Sequence, residues 1–145
     1  MKVEKISADN IEPLTHLFLE LWPECHFDEE YEICENILKS NNETCFLIKD
    51  GSDFVAFIQL SLRTDYVEGA TTSPVVYIEG LYVKPEYRKS GIAKKLVELG
   101  ENWGKEKGCT QYASDTEITN RQSIAFHKKV GFSEANRLVC FIKDI

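Results

Sequence analysis

Residues 83–93 read Val83-Lys-Pro-Glu-Tyr-Arg88-Lys89-Ser90-Gly91-Ile92-Ala93. An apolar strand ends at Val83, a short turn follows, and a helix opens at Gly91. The first amides of a helix have no internal partners and carry partial positive charge, so such a corner suits an anion such as pyrophosphate. Gly91 lets the backbone approach a ligand because no Cβ stands in the way. Ala93 keeps the first turn thin, and Arg88 and Lys89 add positive charge. A Walker loop requires GxxxxGK[ST], and a dinucleotide fold requires GxGxxG after an early strand. Neither is present; the pattern is Arg-x-x-Gly-x-Ala.

Outward from this corner, the chain alternates strands and helices. VVYIEGLYV (75–83) is a strand interrupted by Gly80, and a glycine inside a strand marks a bulge or a close backbone approach. FVAFIQLSLR (54–63) is the return strand of a hairpin with TCFLIK (44–49), turning at Asp50-Gly51. The polar loop TDYVEGATTS (64–73) follows. Near the start, 2–6 reads as a short strand. Asp9 or Asn10 then caps a helix on which Leu14, Leu17, Phe18 and Leu21 share one face. Pro23 stops it, and a second helix spans roughly 28–39, with Asp28, Glu29 and Glu30 at its positive end. Beyond Gly91 the helix runs to about 106, 110–115 is a strand, 120–130 a short helix ended by Gly131, and 138–144 (LVCFIKD) the last strand. The order predicts one α+β domain, residues 1–145, with a mixed central sheet flanked by helices.

Bulk properties exclude several classes. At 145 residues the chain fits one domain with a sizeable core. No apolar run approaches the roughly 20 residues needed to span a bilayer, and MKVEKISADN lacks the apolar centre of a signal peptide, so no membrane partner and a cytoplasmic location are expected. Net charge is −7, against a general nucleic-acid binder and in favour of a cationic ligand. The five cysteines form no CxxC pair and no ligand spacing, and His16 and His26 show none either. Reduced structural thiols and no metal are expected.

The Arg88-x-x-Gly91-x-Ala93 pattern after a strand resembles the acetyl-CoA motif of GNAT acetyltransferases. Asn120, Ser123, Ala125 and Gly131-Phe132 supply the second half expected of that superfamily. Further features narrow the likeness: Trp22-Pro23, Tyr66-Val67-x-Gly69, Thr72-Ser73-Pro74-Val75, Glu79-Gly80 and Ala113-Ser114-Asp115. These resemble the aminoglycoside 6′-N-acetyltransferases, and the likeness runs from about residue 20 to 141. It implies acetyl-CoA as co-substrate and acetyl transfer to the 6′-amino group of an aminoglycoside. It also implies a homodimer in which the last strand pairs across subunits.

On this resemblance Arg88, Lys89, Ser90, Gly91, Ile92, Ala93 and Lys94 hold the pyrophosphate, Asn120 binds the CoA arm, and amides of Leu81, Tyr82 and Val83 polarise the thioester carbonyl. Glu79 and Asp115 are the candidate catalytic carboxylates, to hold the acceptor ammonium or take its proton; their roles stay unassigned between them. Trp22 and Tyr66 are candidate walls of the sugar site, with core packing the competing role for Trp22. Glu24, Asp28, Asp65 and Glu68 read as solvated charges. Two positions depart from the family. His127 stands where many GNAT enzymes carry the tyrosine that protonates the CoA thiolate, and Asn136 stands where an acidic residue usually meets the drug. No cysteine has a His–Asp arrangement, so direct transfer is expected. A polyamine, small-amine or peptide-amine acceptor is the alternative within the fold. An acyl-CoA-binding module without turnover is the alternative outside enzymes.

Overall fold

The computed structural model describes residues Met1–Ile145. A five-stranded mixed sheet in the order β1-β2-β3-β4-β5 organises the chain. The strands are β1 (Lys2–Lys5), β2 (Glu43–Asp50), β3 (Asp53–Arg63), β4 (Val75–Val83) and β5 (Tyr112–Ala113); the helices are α1 (Ile11–Leu21), α2 (Phe27–Lys39), α3 (Ile92–Glu106) and α4 (Arg121–Lys129). β1 to β4 pair antiparallel and β5 joins β4 in parallel.

Period-2 alternation divides the sheet between two cores. Even-numbered positions on β2–β4, including Ile48, Ile58, Leu60, Val76 and Ile78, pack against Ile92, Leu96, Val97 and Trp103 of α3. Odd-numbered Cys45, Leu47 and Phe57 pack against Leu14, Leu17 and Phe18 of α1 and Cys34 and Ile37 of α2. Burying each of these large apolar side chains contributes about 1.5–3 kcal/mol before entropy is charged against it. The predicted apolar face of α1 is therefore its packing face. Asn10 begins α1 as expected, but its side chain makes no cap bond to the helix. Instead its carbonyl oxygen accepts from the Ser7 amide (2.8 Å) and its amide nitrogen donates to the Lys5 carbonyl (3.0 Å), fastening β1 to α1.

Two expected strands differ. Residues 110–115 form only the two-residue β5, because this segment meets β4 only at Val76 and Tyr77. Residues 138–144 form no strand and are exposed, with Phe141 and Ile142 at 92% and 97%. The physical reason is that strand propensity is realised only against a partner ladder; no edge of the sheet pairs with this segment.

Helix α3 approaches β4 closely because two small residues face the sheet. A Cβ on Gly104 would lie 2.5 Å from Val76 Cγ1, and one on Gly100 2.2 Å from the Tyr112 hydroxyl. Gly104→Val is expected to destabilise the fold by about 2–3 kcal/mol through overpacking, because the obstructing atoms belong to a fully packed valine. Urea unfolding of the variant against the parent chain checks this.

Candidate active site

The irregularity anticipated at Gly80 is a β-bulge whose extra residue is Glu79. Gln59 faces Gly80 and Leu60 faces Ile78, which leaves Glu79 without a partner on β3. The tip of Trp22, at the end of α1, fills the space above Gly80; a Cβ there would lie 2.7 Å from Trp22 Cη2. Trp22 also meets Phe18 edge-on at 5.3 Å and Phe57 at 6.2 Å. It is half-buried and packs against both the core and the bulge.

Around Glu79 the sheet carries a polar cluster. Arg63 grips the carboxylate with two bonds, Nη2 to Oε1 at 2.7 Å and Nε to Oε2 at 2.9 Å, and the Ser61 hydroxyl donates to Oε2. Arg63 also lies over the Tyr77 ring, its Cζ 3.5 Å from the centroid. The Tyr77 hydroxyl in turn donates to Asp115. The two candidate carboxylates are thus joined in one chain, Glu79–Arg63–Tyr77–Asp115. Burial pushes the Glu79 carboxyl up, but the bonds from Arg63 and Ser61 and the Arg63 charge outweigh it, so Glu79 titrates below the ordinary carboxylate value. Burial first, then the bond to Asp115, pushes the Tyr77 hydroxyl well up, so Tyr77 stays a neutral donor at pH 7.

Ser61, Arg63 and Tyr77 are absent from the sequence-derived set. Their signal was the alternation itself. Ser61-x-Arg63 and Tyr77-x-Glu79 are polar pairs two apart in adjacent apolar strands, and Ser61 faces Tyr77 in register. Positions two apart share a face.

A cavity of about 480 Å³ lies between the 67–70 loop, β5, α4 and the 133–140 segment. Asp115, His127, Glu68 and Asn136 line it; Glu79, Trp22 and Tyr66 do not. Tyr66 is exposed, and its hydroxyl donates to Glu68, whose other oxygen accepts from Asn136 Nδ2 at 2.7 Å. The Tyr66 bond, then the Asn136 bond, hold Glu68 below its ordinary value, so Glu68 is a bonded member of the cavity wall.

His127 bridges two groups. Its Nδ1 meets the Ser123 carbonyl at 2.7 Å, which makes that nitrogen the donor, and its Nε2 lies 2.8 Å from the Ser114 hydroxyl. Asn120 caps α4, its side-chain oxygen accepting from the Ser123 amide at 3.0 Å; its amide nitrogen remains the group able to donate outward.

At the far end of β4, Lys89 (φ 61°) and Gly91 (φ 85°) both adopt left-handed conformations. Together they turn the chain so that α3 begins with Gly91 as its N-cap. The first backbone bond into the helix runs from the Lys95 amide to the Gly91 carbonyl, which leaves the amides of Ile92, Ala93 and Lys94 ahead of the ladder. Arg88 bonds back to the Val83 carbonyl at 2.8 Å and lies near Tyr82, and the Ser90 hydroxyl donates to the Tyr87 carbonyl. β5 pairs with β4 only at Val76 and Tyr77, so Ile78–Val83, including Leu81 and Tyr82, have no strand partner on that side. No helix is long and apolar enough to cross a membrane. No group of three His, Cys, Asp or Glu side chains could hold a metal ion.

The model of the acetyltransferase (GNAT) family matches residues 11–132. The aminoglycoside N(6′)-acetyltransferase type 1 of Acinetobacter baumannii is 37% identical over 145 residues, covering 100% of this chain and 99% of the relative. That of Serratia marcescens is 37% identical over 139 residues, covering 94% of each. Among solved structures, AAC(6′)-Iy in complex with the bisubstrate analogue CoA-S-monomethyl-acetylneamine superposes with a TM-score of 0.95 at 33% identity, covering 99% of this chain and 98% of that one. AAC(6′)-Ih from Acinetobacter baumannii gives 0.92 at 36% identity, covering 99% and 98%.

The Arg63–Glu79 pair also bears on stability. Because the folded-state value of Glu79 is lowered, its contribution is full above the ordinary carboxylate range and disappears as pH falls through the folded-state value. Glu79→Gln is expected to cost about 1 kcal/mol at pH 7 after solvent screening of the partly exposed arginine. The deficit should shrink as pH falls below the ordinary carboxylate range and through the lowered folded-state value of Glu79, where protonation removes the same pair from the parent chain. Urea unfolding of both proteins at pH 7 and at successively lower pH measures it.

Proposed function

The chain belongs to the acetyltransferase (GNAT) family, and on that premise we propose that it transfers the acetyl group of acetyl-CoA directly to the 6′-amino group of an aminoglycoside. One observation carries the reading. A single strand, β4, presents the carboxylate cluster at Glu79, then an edge left unpaired by the short β5, then the anion-receptive corner at Lys89–Lys94. The full-length likeness to N(6′)-acetyltransferases supplies the acceptor class.

In this reading the pyrophosphate of CoA lies on the first amides of α3, among Arg88, Lys89, Ser90, Gly91, Ile92, Ala93 and Lys94, and Asn120 donates to the CoA arm. Amides at Leu81 to Val83 polarise the thioester carbonyl. The acceptor ammonium must first become an amine. Asp115 takes that proton, directly or through water, being the exposed carboxylate of the linked pair, whereas Glu79 has both oxygens bonded. The amine then attacks the carbonyl carbon, the C–N bond forms, the attacking nitrogen gives up its second proton to water, the C–S bond breaks, and CoA leaves as thiolate, to be protonated from solvent. Tyr66, Trp22 and Asn136 border the acceptor. Asn136 donates to Glu68 and so replaces the usual charge with an indirect hold on an acidic partner. The reading puts the protein in the cytoplasm, where acetyl-CoA is available and reducing conditions keep the five free cysteines reduced.

The partner is a second copy of the chain. The segment 138–144 carries Leu138, Val139, Phe141 and Ile142 exposed, with no strand beside it. A contiguous exposed apolar run marks an interaction surface, and one whose backbone has no strand partner is suited to adding a strand to a neighbouring sheet.

Thiol release from acetyl-CoA with kanamycin, tobramycin and spermidine as acceptors tests the function. Turnover with the aminoglycosides is expected. Turnover with spermidine alone would move the assignment to small polyamines, and CoA binding without turnover would make the chain a binding module. Sedimentation of the parent chain should give a dimer, and Phe141→Asp should shift it toward monomer without loss of helical circular dichroism. A monomeric parent chain would remove the dimer reading.

A further inference from the structure

We infer that Arg63 is a positioning residue of the transfer site, holding Glu79 so that its carboxylate keeps one acceptor position for the incoming amine; the inference rests on the acetyl-transfer reading. An ionised carboxylate offers about four acceptor positions. Arg63 occupies two and Ser61 a third. The remaining one accepts one ammonium N–H or one water, which fixes where the acceptor nitrogen sits. A freely rotating carboxylate would impose no such limit.

The arginine is itself fixed on two sides. Its planar fork matches the carboxylate, and its flat face rests on Tyr77. Lysine would supply charge without the fork or the stacking plane. Because Tyr77 also donates to Asp115, the stack couples the orientation of one carboxylate to that of the other. Arg63 thereby neutralises one of the two negative charges and leaves the other for the cationic acceptor. Its side chain is 39% exposed, so it borders the open part of the face.

The titratable groups facing Glu79 are Arg63 from β3, Tyr77 from its own strand and Asp115 beyond β5. Of these only Arg63 favours the ionised form. Without it, a half-buried carboxylate is left with Ser61 as its donor, and its titration moves upward. Below that higher value Glu79 is protonated and can no longer hold an ammonium.

The test uses the full chain with Arg63→Met and Arg63→Lys. Glu79 is labelled for carboxyl carbon NMR, its signal is assigned with Glu79→Gln, and thiol release is followed from pH 5.5 to 8.5. Arg63→Met is expected to raise the Glu79 titration and to lower kcat/KM roughly tenfold or more at pH 7. The acid limb of its profile should move to higher pH, so the deficit is largest at pH 5.5. Arg63→Lys should restore the titration in part and the rate less, since it returns charge but not the fork. Thermal melting verifies that the variants are folded, and Arg63→Lys carries the comparison if Arg63→Met does not fold. A folded variant with an unmoved titration, or with a moved titration and a parental pH profile and rate, overturns the inference. A parent chain inactive on every aminoglycoside, with the Arg63→Met titration still raised and its rate on another amine still lowered, sinks the acceptor reading and leaves the arginine's role standing.

Discussion

In the pairing of β3 with β4, Gln59 faces Gly80 and Leu60 faces Ile78, so one residue of β4 is in excess. The extra residue, Glu79, stands on the same face as Tyr77, which alternation alone requires, and Gly80 follows it opposite Gln59 on that face too. Two consecutive residues therefore point the same way. Only a residue without a side chain fits the second position, because Trp22 already fills the space. The bulge, the glycine and the tryptophan form one device. The bulge turns a carboxylate toward the site, and the glycine admits the ring that packs the end of α1 on the sheet. A strictly paired strand would place a normal side chain where Trp22 lies and would push α1 away.

The second constraint is the brevity of β5. Two residues of parallel pairing hold β4 and the 110–115 segment together at one end, and Tyr112 anchors that end to α3 through its hydroxyl on the Val97 carbonyl at 3.1 Å. Past Tyr77 the two chain segments part. Backbone groups on that edge of β4 are left without a strand partner, and unpaired amides and carbonyls are costly only when neither water nor a partner reaches them. The unpaired edge leads toward the left-handed turn at Lys89 and Gly91. The sheet's irregularities thus lie along one strand, while its regular part, β1 to β3, carries the cores that hold it rigid.

The regular parts of this fold were legible because they rest on short-range rules. Helical spacing of Leu14, Leu17 and Phe18, the Asp50-Gly51 turn and the alternation in 54–63 each depend on near neighbours. The turn into α3 was legible for the same reason, since Gly91 and the helix it opens are adjacent in sequence. The Arg63 clamp was hidden because it depends on register. Ser61 and Arg63 meet Glu79 only if β3 and β4 pair with one residue in excess, and a slip of one position would send both to the other face. The stretch 138–144 shows the converse. Its composition is that of a strand, but a strand is a property of two segments, and the sequence does not contain the position of the second. Trp22 was ambiguous between core and site, and it packs against the core and against the bulge beside Glu79.

Charge shows why the clamp matters to a site read as taking a polycation. A net charge of −7 draws cations to the whole surface, yet within the cluster Arg63 cancels Glu79, and Asp115 carries the remaining charge. Attraction at long range and selection at short range are therefore done by different groups. Surface carboxylates raise the local concentration of acceptor, and salt screens them. The bonded pair adds little to that attraction, since its charges offset. Its contribution is directional: a carboxylate with three acceptor positions filled cannot turn to follow a misplaced amine. Transfer requires the amine nitrogen in line with the thioester carbon, and a misplacement of about 1 Å is enough to cost two orders of magnitude. On the proposed reading, a fixed acceptor position on β4, the same strand whose amides are assigned to the thioester, ties the acceptor and the acetyl group to one rigid element. That is the physical advantage of clamping Glu79 with Arg63 here in place of leaving it free.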